Sequence, residues 1–278
     1  MKSVFDNYSF DASKHVTKSY STSFYAGVKC LDKKIRKDIH AIYGLVRFAD
    51  EIVDSFHDYN KDTLLKEFKQ ATFDAIERKI SLNPILNSFQ NTVNKYQIDT
   101  DLIHQFFHSM EMDLDSVDFT IEKYKEYIFG SAEAVGLMCL KIFVYGDEHE
   151  YMRLKPYAMK LGSAFQKINF LRDLKSDSIE LGRLYFPNIE MNNFTSKDKI
   201  HIEAEIQAEF DEAFKGIVQL PKSSRFGVYL SYVYYTNLLK RIKRRSIQDL
   251  LNERIRISNN IKALLFAKSY VKNSINML

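Results

Sequence analysis

Chain-breaking residues are scarce in this sequence: 278 residues hold only 9 glycines and 4 prolines. Average usage would supply roughly twice that glycine and several times that proline. A sandwich or barrel of short strands needs turn signals about every 8–12 residues. So few breakers leave long helices as the structure such a chain can make. The apolar residues agree. Ile39, Ile42, Tyr43 and Val46 form one stripe; Phe165, Ile168 and Leu171 part of another; Tyr232, Tyr235, Leu239 and Ile242 a third. Each fits the i, i+3, i+4, i+7 template of an amphipathic helix. No stretch alternates strongly enough to read as a strand. Pro84, after Asn83, marks a helix start, Pro156 lies near the start of another pattern, Pro187 ends one, and Pro221 sits in a loop. Composition is even and no repeat or linker interrupts it, so residues 1–278 read as one all-α domain, a bundle of many helices.

The 45% hydrophobic and 27% charged content excludes a disordered or fibrous chain. The net charge of +4 suits an anionic ligand or an anionic membrane surface. It is too small an excess to predict nucleic-acid binding. Cys30 and Cys139 form no metal or disulfide pattern, which reads as a reduced, cytoplasmic protein. The N-terminal segment MKSVFDNYSFDASK has acids and no apolar core, so it does not read as a signal peptide. No run approaches the roughly 20 apolar residues that span a bilayer. The basic run Lys240-Arg241-Ile242-Lys243-Arg244-Arg245 reads either as a solvated face or as a peripheral contact at the inner membrane surface.

Two segments carry the chemistry. The first is Arg47-Phe48-Ala49-Asp50-Glu51-Ile52-Val53-Asp54; the second runs from Gln166 through Asn169, Arg172 and Asp173 to Asp177. In both, two aspartates lie four apart in a helical pattern, where their side chains are neighbours and repel. Gln166, Asn169, Asp173 and Asp177 step by three, four and four, which lays two amides and two carboxylates along one stripe, opposite Phe165, Ile168 and Leu171. An isolated aspartate pair is most often a solvated face. Two such pairs, each beside an arginine and among apolar residues, suit a hard cation with oxygen ligands. Mg²⁺ takes one or two carboxylates and fills its other positions with water and phosphate oxygens. Two such helices facing each other could hold Mg²⁺ around a diphosphate that bare carboxylates would repel.

At these residues the chain resembles the squalene/phytoene synthase family, the head-to-head prenyl transferases. Arg47 with Asp50 and Asp54 looks like the family's first aspartate-rich motif. Gln166, Asn169, Arg172, Asp173 and Asp177, followed by Gly182-Arg183-Leu184-Tyr185-Phe186-Pro187, looks like its second. Ser21-Thr22-Ser23-Phe24, Met110-Glu111-Met112-Asp113-Leu114, Tyr235 with Leu238-Leu239, and Arg254-Ile255-Arg256 resemble further family segments in the same order. The set is most similar to the bacterial phytoene-forming members. One departure is Phe129-Gly130-Ser131-Ala132-Glu133, with phenylalanine at a common tyrosine position and Glu133 at a common glycine. Glu133 could bind metal, accept a proton or pair with a lysine.

The resemblance implies an isoprenoid-synthase-type helical bundle with a central cavity. The reaction it implies joins two geranylgeranyl diphosphates through a cyclopropylcarbinyl diphosphate, followed by loss of a proton and no use of NADPH. The alternative is a squalene or dehydrosqualene synthase acting on farnesyl diphosphate. A non-catalytic relative would be expected to lose the aspartates, and all four are present. By resemblance, Asp50, Asp54, Asn169, Asp173 and Asp177 would hold Mg²⁺, with Mn²⁺ as a substitute. Tyr20, Ser21, Thr22, Ser23, Tyr43, Arg47, Gln166, Arg172 and Arg254 would contact substrate. Phe24, Phe129, Phe165 and Tyr235 would wall the cation, because ring faces stabilise positive charge and exclude water. Gly44 and Gly162, inside helical patterns, serve either a prenyl chain or a helix contact.

Overall fold

A computed structural model describes residues 1–114, 119–177, 185–187 and 194–275. Among these the chain is helical and has no strand. In order run α1 (Lys2–Tyr20), α2 (Thr22–Lys29), α3 (Lys33–Ser55), α4 (Lys61–Arg78), α5 (Pro84–Tyr96), α6 (Thr100–Met112) and α7 (Ile121–Ile128). A π-helical turn (Phe129–Glu133) leads into α8 (Ala134–Phe143), followed by α9 (Glu148–Arg172), α10 (Ser196–Ile217), α11 (Lys222–Ile242), α12 (Ile247–Asn252) and α13 (Asn259–Ser274). The all-α expectation holds.

Local chemistry sets the ends. Asp32 caps α3 by accepting from the Lys34 amide at 2.8 Å, and Asp147 caps α9 through the Glu150 amide at 3.0 Å; each satisfies an amide the helix leaves unpaired. Thr195 and Asp198 form a reciprocal capping box on α10. Pro84 is the first residue of α5, after the Asn83 cap, as expected. Two proline expectations fail. Pro156 lies well inside α9, because the helix starts eight residues earlier, at Glu148 after the Asp147 cap. Pro187 sits in a turn, not at a helix end, because α9 has already closed at Arg172. Gly182–Leu184 lie outside the described residues.

Two apolar clusters hold the bundle. One gathers α3 (Ile35, Ile39, Ile42, Leu45, Val53) with α5, α6 and α8. The other gathers the C-terminal half of α9 (Ala164, Ile168, Leu171) with α10 and the end of α11. Leu161 and Tyr232 pack against both. The π-turn lies close on its neighbours: a Cβ on Gly130 would come within 2.3 Å of the Gln105 carbonyl oxygen, and one on Gly162 within 2.8 Å of that of Ala132. Gly44 likewise abuts Ser13 of α1, so helix contact accounts for it. No helix among the described residues is long and apolar enough to cross a membrane.

Candidate active site

Between α2, α3, α6, the π-turn, α8, α9, α10 and α11 lies a cavity of ≈ 420 Å³, within the range of ligand sites. On α9 its wall steps through Leu154, Ala158, Leu161, Phe165, Gln166 and Asn169. At 1.5 Å per residue that face is about 22 Å long. The side chains along it change in kind. Arg47, Asp50, Gln166, Asn169, Tyr43 and Tyr235 give the wall polar groups, while Val135, Cys139, Leu140, Phe143, Leu154, Ile217 and Leu220 are apolar. Burial pushes the Cys139 thiol up to about 12, so it stays protonated and behaves as part of the apolar wall.

Of the residues expected at the site, Phe24, Tyr43, Arg47, Asp50, Phe165, Gln166, Asn169 and Tyr235 line this cavity. Phe24 stacks on Tyr43 with ring centres 4.8 Å apart, and Phe165 on Tyr235 at 3.9 Å. Phe165 therefore shares the face of Gln166 and Asn169. It borders the core as well, packing against the cluster of Ile168 and Leu171, which are fully buried. Phe129 is also placed differently. It is absent from the cavity wall and packs against the first apolar cluster, because the π-turn presents Ser131 and Ala132 instead.

The first aspartate segment is continuous helix. Arg47 forms ion pairs with Asp50 and Glu51, and its guanidinium lies 4.5 Å above the exposed Tyr20 ring. Its Nε is buried with no hydrogen-bond partner among the described residues. Such an orphaned cationic donor on a cavity wall is costly unless an acceptor comes to it. Burial raises the Tyr43 hydroxyl above an ordinary phenol, with Arg47 opposing, so Tyr43 remains a neutral donor. Ser21 caps α2, accepting from the Phe24 amide at 3.2 Å, and is hydrogen-bonded to Tyr43. Thr22 is exposed and Ser23 half-buried in the first turn of α2; neither is on the cavity wall. Asp54 follows one turn after Asp50, half-buried.

The second segment is not one helix. α9 ends at Arg172, with Asp173 as its C-cap (φ −100°, ψ 12°). The backbone then resumes a helical step, the Asp177 amide donating to the Asp173 carbonyl at 2.9 Å. Two guanidinium groups hold the Asp173 carboxylate. Arg172 donates from Nε at 3.0 Å and again from its terminal nitrogen; Arg254 donates from Nε at 2.6 Å. Asn169 receives the Tyr235 hydroxyl on Oδ1 at 3.3 Å and donates to Gln166 Oε1 at 3.3 Å. Arg172 also interacts with Tyr235. Asn169 and Tyr235 thus join the cavity wall to the Arg172–Asp173–Arg254 cluster.

Glu133 stands outside the cavity wall. Burial, then the nearby Glu209, pushes its carboxyl up to about 7, against the pull of Lys160 and Lys167. The nearby lysines are taken by other carboxylates, Lys160 by Glu209 and Lys167 by Glu205 and Glu209. Ser163 donates to both Glu209 oxygens at 2.9 Å, and Lys167 pairs with Glu209 at 2.9 Å, so this network ties α9 to α10.

The wall supplied by α6 and α8, Phe106, Met110, Val135, Gly136, Cys139, Leu140 and Phe143, carries no distinct signal in the sequence. The residues of α8 recur at helical spacing, but apart from Lys141 that helix is apolar all round, and such a helix is buried in a core or beside a cavity alike.

Among the described residues, no three histidine, cysteine or acidic side chains converge as a group that could hold a metal ion. The donors on the two segments are carboxylate and amide oxygens, the set a hard cation such as Mg²⁺ takes. Arginines occupy them here: Arg47 on Asp50, Arg172 and Arg254 on Asp173.

An aspartate-bearing helical bundle around an elongated, largely apolar cavity defines an isoprenoid-synthase-type protein. The squalene/phytoene synthase family model matches residues 17–260, and the chain belongs to that family, which is one of prenyltransferase-type enzymes. It is 26% identical over 283 residues to "Phytoene synthase 1, chloroplastic" of Solanum lycopersicum, covering 95% of this chain and 68% of that one. To "Phytoene synthase 2, chloroplastic" of Zea mays it is 28% identical over 253 residues, 84% and 62% of the two chains. Among solved structures, a dehydrosqualene synthase in complex with ligand superposes with a TM-score of 0.81 at 20% identity, covering 96% of this chain and 98% of the other. Squalene synthase HpnC from Alicyclobacillus acidocaldarius gives 0.75 at 19%, covering 87% and 95%. These last two likenesses carry the fold.

Proposed function

We propose that the chain is a Mg²⁺-dependent phytoene synthase, joining two geranylgeranyl diphosphates head to head. The observation that carries this reading is the cavity's change of character: charged and amide groups of α3 and α9 on one wall with a long apolar wall behind them. That suits a molecule with an anionic head and a hydrocarbon tail. The phytoene synthases among its relatives favour the C20 substrate.

Asp50, Asp54, Asn169, Asp173 and Asp177 would hold the metal. When bound, Mg²⁺ supplies the charge that makes diphosphate a leaving group. The protein's own part follows from the residues. Arg47 has a buried Nε to offer a phosphate oxygen, and Arg172 and Arg254 offer forked donors once Asp173 turns to another partner. Tyr43 and Tyr235 donate neutral hydroxyls. The stacked pairs Phe24–Tyr43 and Phe165–Tyr235 present ring faces to the chain carbon that loses the diphosphate, attracting its positive charge and excluding water.

A second reading, a C15-using dehydrosqualene synthase, is favoured by the superposition on a protein of that name. The test is incubation with geranylgeranyl or farnesyl diphosphate, each with Mg²⁺ and without NADPH, followed by mass analysis of the hexane extract. A C40 hydrocarbon of phytoene mass is expected. A C30 product from farnesyl diphosphate alone replaces the first reading with the second. No hydrocarbon from either substrate rejects both.

A further inference from the structure

A second concave surface among the described residues is built almost wholly of arginine. Arg241, Arg244 and Arg245, at and just beyond the end of α11, face Arg254 and Arg256 around a hollow of ≈ 430 Å³, with Ile255 and Glu253 completing its lining. Basic residues in a last helical turn are ordinary, because they complement the carbonyl end of the helix. That explains Lys240 and Arg241. It does not explain Arg254 and Arg256, which belong to no helix. From Glu253 (φ −140°, ψ 142°) the backbone is extended, so alternate side chains take opposite faces. Ile255 goes into the core, 6% exposed, and its two neighbours turn to the other side. This extended segment is tied to α11 as well, the Arg241 guanidinium donating to the Arg256 carbonyl at 3.1 Å. Two separate segments are thus anchored with their arginines converging.

Among the described residues that line the hollow the charge is not balanced, although Asp249 outside the lining also acts on Arg245. Five guanidinium groups share the hollow with one carboxylate, Glu253, which pairs with Arg245 at 3.3 Å. Arg254 reaches Asp173. Arg244 and Arg256 have no ion pair among the described residues. Cations gathered in this way repel, and a polyanion with several oxygens both removes the repulsion and accepts forked hydrogen bonds. A single carboxylate offers too few oxygens for so many forks; a diphosphate offers enough.

We propose that this hollow is a metal-independent site for a diphosphate or phosphate-ester anion, outside the cavity, with Arg254 joining it to Asp173. As a station for the diphosphate of the condensation it rests on the head-to-head reading; as an anion site it does not.

The test titrates inorganic diphosphate into the full chain in EDTA at low salt by calorimetry. The proteins compared are wild type, the double variant R244Q/R256Q and the cavity variant D50N. In parallel, the same proteins are sedimented with phosphatidylcholine vesicles containing phosphatidylglycerol. Both arginines are exposed, so the fold should survive, as circular dichroism will verify. Saturable diphosphate binding is expected in wild type and D50N, weaker by at least about tenfold in R244Q/R256Q. Vesicle binding lost in R244Q/R256Q, with no diphosphate binding in any protein, assigns the same chemistry to a lipid headgroup. Diphosphate binding equal in wild type and R244Q/R256Q, or neither ligand bound, overturns the site. None of these readouts uses turnover, so failure here leaves the condensation reading standing, and the reverse.

Discussion

Asp50 and Asp54 stand on an unbroken helix of 23 residues, whereas Asp173 and Asp177 straddle the place where a helix of 25 residues ends. The spacing is the same and the support is different. On α3 the segment is positioned by the core: Ala49, Ile52 and Val53, interleaved with the acids, are buried. At the end of α9 the backbone bends at Asp173, and its carboxylate is fixed by Arg172 and Arg254, which come from opposite sides in the sequence. One segment is rigid because it is packed. The other is held by charge pairs that a stronger cation or a competing anion could exchange. The difference teaches that equal i, i+4 aspartates need not play equal parts: the second segment has the freedom to rearrange around a diphosphate.

Neutralising each segment tests this most severely. D50N and D173N should each lower turnover by about 10²–10³-fold, the scale for losing a charge-stabilising group. D173N should also lose more stability than D50N, by about 1–3 kcal/mol, because it strips charge-assisted bonds from two arginines, Arg172 and Arg254, where D50N strips one from Arg47. Steady-state rates and urea melts separate the two effects. Wild-type turnover in either variant, with Mg²⁺ present, would falsify the shared role.

A smaller effect is expected from Y235F. The ring keeps its stack on Phe165, and the bond to Asn169 is lost. We expect kcat to fall about tenfold with a stability change near 1 kcal/mol. Loss of stability with kcat intact would make Tyr235 a packing residue only. Smaller again is R254Q. Arg254 is half-exposed, so its pair adds little to stability, and KM should rise a few-fold with melting unchanged. If R254Q instead melts as D173N does, Arg254 is structural.

The smallest effect concerns what backs α9 before its break. Glu133 titrates at about 7 in the folded chain and near 4.5 when unfolded. As pH rises through this window the unfolded chain gives up its proton first, so stability declines between those values and levels off above. E133Q removes the decline. Its melting temperature should gain on wild type by a few degrees between pH 4.5 and 8, and a gap constant across pH contradicts the assignment.

Much of this was legible in the sequence. Few breakers and a 3.6-residue period sufficed for the helical class, and the aspartate spacing led to both segments. Two things were not. The break at Asp173 leaves no mark in the pattern, since the resumed helical step preserves the four-residue spacing while Arg254, eighty-one residues on, sets the geometry. The cavity's rear wall was hidden because Val135, Cys139 and Leu140 are equally good core residues; only the distance between helices makes them a wall. Phe165 shows both sides of this: it lines the cavity, as the resemblance implies, and also packs against the cluster of Ile168 and Leu171, the stripe its spacing puts it in.

If the reading is right, the two segments act together on one diphosphate across this cavity. The most direct measurement is a crystal structure with Mn²⁺ and an unreactive thiolodiphosphate analogue of the prenyl substrate, with anomalous scattering locating the metal. The expected result is metal on oxygens of both segments, the hydrocarbon chain along Phe165 and Leu161, and Asp173 turned from Arg254 toward the metal. Metal confined to one segment, or an analogue bound elsewhere with Asp173 still held by both arginines, would contradict it.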